Sequence, residues 1–341
     1  MRTSISVVVC THNGAARLPE VLRHLRAQRT TIPWELVLVD NASTDNTADV
    51  VRKSWEGASA GLQLVHEAQP GLGHARKRGL DAAKYELISF VDDDNWLAPD
   101  WLETAATIMA TQPTVGACGG RTEAVFEAPP PAWFAPYQAQ LVIGPQGEQS
   151  GDVTETRGHL WGAGLTLRKQ AWEELLQNGF RATLVGRTGS KLISGEDYEL
   201  CYALRMAGWR LWYDPRLVLQ HYMPASRITW AYMLRLNRGH GATSVRFDPY
   251  ELALGSSQRS ITPLAGQWWI PEAAKSLAKA GLLKAWVGVR NMMSGVEGWR
   301  WALTAEFNRG RFEELMSQRH QYDRAIREIG EAPWSRQSRS S

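Results

Sequence analysis

The feature that most restricts this chain is a recurring pattern: from Ser4 to about Ala117, short β-branched runs alternate with amphipathic stretches. Such a pattern folds as strand-helix units around a mostly parallel sheet. Residues 5–10, 35–39, 62–66 and 87–91 are the expected strands. Between them, residues 18–28, 47–55 and 74–84 are expected helices, the second capped by Asn46 or Asp45. In open α/β sheets ligands sit beyond the carboxyl ends of the strands. The residues at those ends are Thr11, His12 and Asn13, then Asp40 and Asn41, then Asp92, Asp93, Asp94 and Asn95.

The acidic run demands a counter-charge. Two carboxylates about 5 Å apart repel by roughly 3 kcal/mol at an effective dielectric near 20. A hard cation such as Mn²⁺ or Mg²⁺, bound by one or two carboxylates plus substrate phosphates, would neutralise it. The alternative is a solvated turn that caps the helix opened by Pro99, Asp100 and Trp101. Gly71 and Gly73 precede a helix, but Arg76 stands where a dinucleotide fingerprint needs a third glycine, and no P-loop follows a glycine-rich turn.

Further along, residues 122–160 read as an irregular excursion with Pro129, Pro130 and Pro131. Gly162, Ala163 and Gly164 then lie in an apolar, strand-like run. A helix over 169–176, a loop over 181–195, a helix from Glu196 and Asp197 to Met206, and a strand over 209–213 complete this part. Beyond His221 the chain reads as helical and rich in tryptophan.

A net charge of +3 argues against a dedicated nucleic-acid binder. Cys10, Cys118 and Cys201 are too dispersed for a disulfide framework or a zinc site, which fits a reducing, cytoplasmic setting. The first residues lack the pattern of a secretory signal, and no apolar run nears the roughly 20 residues that span a bilayer.

Four segments together resemble the inverting glycosyltransferase family 2, and bacterial polysaccharide-building members in particular. They are Val7-Val8-Val9-Cys10-Thr11-His12-Asn13-Gly14, Val39-Asp40-Asn41-Ala42-Ser43-Thr44-Asp45, Phe90-Val91-Asp92-Asp93-Asp94-Asn95 and Gly195-Glu196-Asp197. The resemblance implies a GT-A fold, α/β with a Rossmann-like, mostly parallel mixed sheet flanked by helices, and a C-terminal helical extension. The expected division is 1–225 for the catalytic domain, with a nucleotide-binding half over 1–120 and an acceptor half over 121–225. A helical extension over 226–335 and a frayed tail over 336–341 follow.

It also implies a metal-dependent transfer from a nucleoside-diphosphate sugar, with UDP as the expected nucleotide, to a glycan or lipid-linked acceptor. Thr11 and Asn13 would line the nucleotide pocket, Asp40 would read the base, and Arg76 would supply a nearby positive charge. Asp92 would contact ribose or metal, and Asp94 would bind Mn²⁺ or Mg²⁺. Asp93 occupies a position that varies in the family. Asp197 would be the general base and Glu196 would orient the acceptor, although both residues also suit the first turn of a helix. Trp161, Gly162, Ala163 and Gly164 would face the sugars, or pack as a buried strand. Arg181, Arg187 and Lys191 could close over the diphosphate. His221 would be a late metal contact or a structural histidine.

The helix opened by Pro271 and Glu272 carries Lys275, Lys279 and Arg290. Packing against the catalytic domain is the favoured expectation for it, with peripheral contact to anionic lipid as the alternative. A nucleotidyltransferase would normally carry a basic, glycine-rich first loop, which Thr11-His12-Asn13 is not. A catalytically silent nucleotide-sugar-binding subunit would fit a chain lacking Asp94 or Asp197, and both are present.

Overall fold

The computed structural model describes residues 3–184, 194–255, 263–264, 266–294 and 296–335. The expected tail at 336–341 lies outside these residues, as do Arg187 and Lys191. The chain forms two compact units. One comprises Met1–Glu127, Gln138–Gly186 and Glu196–Met223, and the other Ala128–Tyr137, Arg187–Gly195 and Pro224–Ser341.

The first unit follows the alternation. Strand β1 (Ile5–Thr11), helix α1 (Leu18–Arg26), β2 (Trp34–Asn41), α2 (Thr47–Trp55), β3 (Gly61–Glu67), α3 (Leu72–Ala82) and β4 (Leu87–Asp92) succeed one another. Next come β5 (Asn95–Leu97), α4 (Trp101–Thr111), β6 (Val115–Phe126), β7 (Gly151–Asp152), β8 (Thr166–Arg168), α5 (Lys169–Gln177), α6 (Glu196–Met206) and β9 (Arg210–Met223). In α1, Leu18, Val21, Leu22 and Leu25 recur at helical spacing and are the buried face. In α2, Asn46 occupies the cap position without a side-chain bond, and Asp45 Oδ1 instead accepts from the Thr47 N–H at 3.1 Å.

The sheet runs β3-β2-β1-β4-β8-β6-β9-β5, with β7 also on β9. Strands β3, β2, β1, β4, β6 and β9 share one direction, and the short β8, β5 and β7 oppose them. The sheet is therefore mixed and mostly parallel. Strand β1 is buried along its length, and Val7, Val9, Leu36, Leu38 and Trp101 belong to one continuous core.

Three local expectations need correction. Strand β6 continues to Phe126, inside the expected excursion, because residues 121–126 pair with 218–223 of β9. The strand expected at 209–213 continues through 217–219 to Met223 as one strand, β9. It crosses Asp214 and Pro215 at a register shift, where buried Asp214 Oδ1 accepts from the Arg216 N–H at 3.0 Å and its Oδ2 accepts from Ser150 Oγ at 2.8 Å. Gly162, Ala163 and Gly164 form a turn before β8 rather than a strand.

The second unit contains α7 (Trp230–Ala253), α8 (Trp269–Ser294) and α9 (Arg300–Gly330). Its buried charge is matched: Arg311 Nη2 donates to Glu272 Oε2 at 2.9 Å and to Asp248 Oδ2, which also accepts from Tyr322 Oη at 2.7 Å. Among the described residues no helix is long and apolar enough to cross a membrane.

The ends of β2 and β3 are joined by one buried amide. Asn41 Nδ2 donates to the carbonyls of Glu67 and Gln69 at 3.1 and 2.7 Å, while its Oδ1 accepts from the Gly71 N–H at 2.8 Å. Replacing it strands the buried Gly71 N–H, an unmet group that costs about 1–3 kcal/mol, and removes two part-buried bonds. Asn41→Ala is expected to lower stability by about 2–3 kcal/mol, read as a reduced urea midpoint with an unchanged slope.

Candidate active site

The carboxyl ends of β1, β2 and β4 bring the first three sequence motifs together. The β1 and β2 loops are stitched by backbone-to-side-chain bonds: the Asn13 N–H donates to Ser43 Oγ at 2.9 Å, and Asn13 Oδ1 accepts from the Thr44 N–H at 2.8 Å. Asn13 adopts a φ of 50°, a conformation asparagine tolerates better than most residues. Asp40 Oδ1 accepts from the Ser43 N–H at 3.2 Å.

Within the acidic run the three aspartates have distinct surroundings. Asp93 is neutralised by Arg17, whose Nε and Nη2 donate at 3.1 and 2.7 Å to its two oxygens. Asp93 Oδ2 also accepts from Thr11 Oγ1 at 2.5 Å, so the Thr11 hydroxyl is engaged with the run. Arg17, on the turn leading into α1, was not singled out from sequence. Its only linear signal was a position four residues after Asn13.

Asp92 is held differently. Arg76 Nη2, from α3, donates to Asp92 Oδ1 at 3.3 Å, while Arg76 Nη1 donates to Glu196 Oε1 at 3.0 Å. The guanidinium lies 5.5 Å from the Phe90 ring centroid. Burial alone would lower its pKa, but Glu196, Asp92 and Asp197 outweigh burial and hold it above the ordinary arginine value. Burial pushes the Asp92 carboxyl upward, Asp94 and Asp93 add to the effect, and Arg76 and His221 oppose it.

Asp94 meets a residue more than a hundred positions away. Strand β5 pairs antiparallel with β9, setting Asn95 opposite His221, and the Tyr222 N–H donates to the Asp94 carbonyl at 2.9 Å. His221 Nε2 consequently lies 3.6 Å from Asp94 Oδ2, and its Nδ1 is buried without a hydrogen-bond partner among the described residues. His221 is therefore within β9. A carboxylate and an imidazole at this separation suit a hard or borderline divalent cation that draws its remaining ligands from phosphate oxygens. Among the described residues no three histidine, cysteine, aspartate or glutamate side chains form a ready metal cage.

The turn before β8 completes the cluster. The Gly162 N–H donates to Asp197 Oδ2 at 2.6 Å, and the Tyr198 N–H donates to Asp197 Oδ1 at 3.0 Å. A Cβ on Gly162 would stand 2.8 Å from Arg76 Nη2 and 3.1 Å from Asp197 Cβ, so the bare α-carbon makes room for both. Gly164, with a φ of 72°, instead faces Trp101 and Leu219, and Ala163 belongs to the core. Trp161 is buried, with its N–H donating to Gln146 Oε1 at 2.7 Å. From this segment, it is the Gly162 backbone that meets Arg76 and Asp197.

The Asp197 carboxyl is pushed up to about 6, first by burial and then by Glu196, against the lowering effects of Arg76 and the two N–H donors. A carboxyl near neutrality can both accept and return a proton. Burial pushes Cys10, Cys118 and Cys201 up to about 12, which leaves no thiolate nucleophile among them. Arg181 Nη1 donates to the Phe180 carbonyl at 2.7 Å, back onto the end of α5. A further cation, Arg157, lies 4.8 Å over the Trp161 ring and was also not singled out from sequence.

Residues 6–175 match the profile of the family described as "Glycosyl transferase family 2". The chain is similar to the glucosyl-dolichyl phosphate glucuronosyltransferase of Haloferax volcanii, with 24% identity over 220 residues, covering 64% of this chain and 68% of that one. It is similar to succinoglycan biosynthesis protein ExoM of Rhizobium meliloti, with 22% identity over 310 residues, covering 84% of this chain and 94% of that one. Among solved structures, it resembles in fold a mannosyltransferase from Pyrobaculum calidifontis in complex with GDP-Man and Mn²⁺. That likeness has a TM-score of 0.57 and 22% identity, and covers 94% of this chain and 88% of that one. The fold is of the GT-A type.

Arg76 is the counter-charge for this cluster, and removing one side of a buried ion network costs about 3–5 kcal/mol. Arg76→Met is expected to destabilise the protein by about that amount at neutral pH. The stranded carboxylates would then have folded-state pKa values raised above the unfolded range of about 4. The folded variant therefore binds extra protons, and its deficit should shrink as pH falls through those raised values. Denaturant melts at two pH values check both the size and the sign.

Proposed function

This chain belongs to glycosyltransferase family 2, and we propose that it is an inverting transferase using a nucleoside-diphosphate sugar, with UDP as the preferred nucleotide. The acceptor is a hydroxyl on a glycan or lipid-linked saccharide. The observation that carries this reading is the Arg76 guanidinium, which links Asp92 of the acidic run to Glu196, next to an Asp197 carboxyl raised to about 6. A donor-holding run and a base of suitable pKa are thereby parts of one electrostatic unit.

In this reading Asp40 accepts from the base of the nucleotide, and Asn13 shapes the loop around it. Asp92 contacts the ribose. Thr11, Asp93 and Arg17 form a supporting clasp that fixes the acidic run against the β1 loop. Asp94 and His221 would hold Mn²⁺ or Mg²⁺, which when bound offsets the negative charge of the departing diphosphate.

Asp197 removes the acceptor proton. An alcohol is far less acidic than this carboxyl, so the proton transfers only as the hydroxyl oxygen bonds to the anomeric carbon and acidifies. The N–H groups of Gly162 and Tyr198 each take one lone pair of the carboxylate and fix its plane, leaving a second lone pair on each oxygen. Glu196, tied to Arg76, orients the acceptor. Attack opposite the leaving diphosphate inverts the anomeric centre.

A lipid-linked acceptor would place the enzyme at the cytoplasmic face of a membrane, and α8 supports that placement. Leu282 and Trp286 are each 70% exposed and Val289 59%, along one stripe of the helix, so packing leaves this side uncovered. Residues 273–294 carry Lys275, Lys279, Lys284 and Arg290 and no acidic residue. An apolar stripe flanked by cations suits an anionic lipid surface.

Two outcomes are expected. In a donor panel, at least one nucleotide sugar is turned over with Mn²⁺ and not after chelation. Asp197→Asn then keeps nucleotide affinity while transfer falls by about 10²–10⁴. Turnover that survives chelation removes the cation, and near-normal transfer by Asp197→Asn moves the base elsewhere. Separately, Trp286→Glu should cut cosedimentation with vesicles containing anionic lipid by about tenfold or more without altering thermal stability. Equal binding by both proteins would exclude α8 as the contact.

A further inference from the structure

Most of the buried arginine charge in the described residues is answered. Arg76 meets Asp92 and Glu196, Arg311 meets Asp248 and Glu272, Arg205 reaches the Gly158 carbonyl and Glu155, and Arg168 is wrapped by three backbone carbonyls. Arg157 differs. Among the described residues its side chain makes no hydrogen bond and no ion pair, and its Nε is buried without a partner. Its one marked contact is the Trp161 ring, 4.8 Å below the guanidinium. The groups acting on it electrostatically, Tyr198, Cys201 and Tyr213, are uncharged at neutral pH, and burial pulls its own pKa down.

Its neighbourhood holds a second arginine. Arg205 also has a buried Nε without a partner, and the His159 imidazole is pushed down to about 3 by burial and by these two arginines, so it stays neutral. A partly desolvated guanidinium lacking an anion is unfavourable, and an incoming oxyanion relieves that by accepting two parallel N–H bonds from it. Trp161 holds the guanidinium on one side by a cation-π contact, pre-orienting the fork.

The location ties this cation to the base. Trp161 directly precedes Gly162, whose N–H holds Asp197. Tyr198 directly follows Asp197 and stacks on His159 with centroids 3.9 Å apart and planes at 26°. The donor run has cations of its own, Arg76 on Asp92 and Arg17 on Asp93.

We infer that Arg157, seated on Trp161, binds an oxyanion carried by the acceptor, a phosphate or a carboxylate near the hydroxyl that Asp197 deprotonates. This rests on the reading of Asp197 as the acceptor's base. A neutral saccharide leaves Arg157 unpaired, so the site discriminates in favour of acidic acceptors.

The test compares binding of glucose, glucuronate and glucose 1-phosphate to the full chain by calorimetry, with inorganic phosphate as a fourth probe. At least one of the two anionic sugars should bind about tenfold or more tightly than glucose. Arg157→Gln should erase that preference, Arg157→Lys should retain part of it, and UDP and GDP affinities should be unchanged in both. Glucose 1-phosphate outranking glucuronate identifies a phosphate-linked acceptor, and the reverse order identifies an acidic sugar. Three outcomes overturn the inference: equal binding of charged and neutral sugars by the wild type, an undiminished preference in Arg157→Gln, or UDP and GDP affinity falling with that of the anionic sugars, which would assign Arg157 to the donor. The wild-type comparison decides the matter even if a variant fails to fold. If neither nucleotide binds while the anionic preference and its dependence on Arg157 persist, the donor reading fails and this one stands.

Discussion

The site depends on one buried guanidinium. Arg76 projects from α3 between the end of β4 and the start of α6, and it bonds Asp92 on one side and Glu196 on the other. Asp92, Glu196 and Asp197 would otherwise repel one another at close range. Arg76 does not fully compensate. Asp92 and Asp197 both keep raised pKa values, with burial as the leading cause in each. That residual imbalance is what the chemistry uses, since a fully paired Asp197 would be too weak a base.

Two pieces of backbone geometry make the arrangement hold. The turn at Gly162 has no side chain, so Arg76 and Asp197 can both approach it, and its N–H fixes the carboxylate. The short β5 then reverses against β9 and sets His221 beside Asp94. Each device joins segments far apart in sequence at the carboxyl ends of parallel strands, where the fold leaves an opening.

The nucleotide-binding half was largely legible in the sequence, because its short β-branched runs and helical patterns are local and β1, β2 and β4 are buried on both faces. The elements from β1 to β4 lie within a few residues of where the pattern puts them. The later half was less legible for reasons that particular residues explain. Asp214 and Pro215 look like a break, yet β9 passes through them because a buried carboxylate satisfies the local donors. Gly162 to Gly164 read as a strand because their neighbours are apolar, whereas Gly164 takes a positive φ and faces Trp101. The acidic run was visible as a charge problem, but its solution was not. Arg17 binds Asp93 and Arg76 binds Asp92, and neither partnership has a signature in spacing. Arg157 was invisible for the same reason, since an absent counter-charge is a property of three-dimensional surroundings.

The central claim is that Asp197, held by Gly162 and crowded by Glu196, carries a proton affinity tuned for base catalysis before any substrate binds. The most direct measurement is a carboxyl-carbon NMR titration of the free protein, with Asp197 assigned by the signal lost in Asp197→Asn. A midpoint of about 6 is expected for that signal. A midpoint in the ordinary aspartate range of about 4 would contradict it.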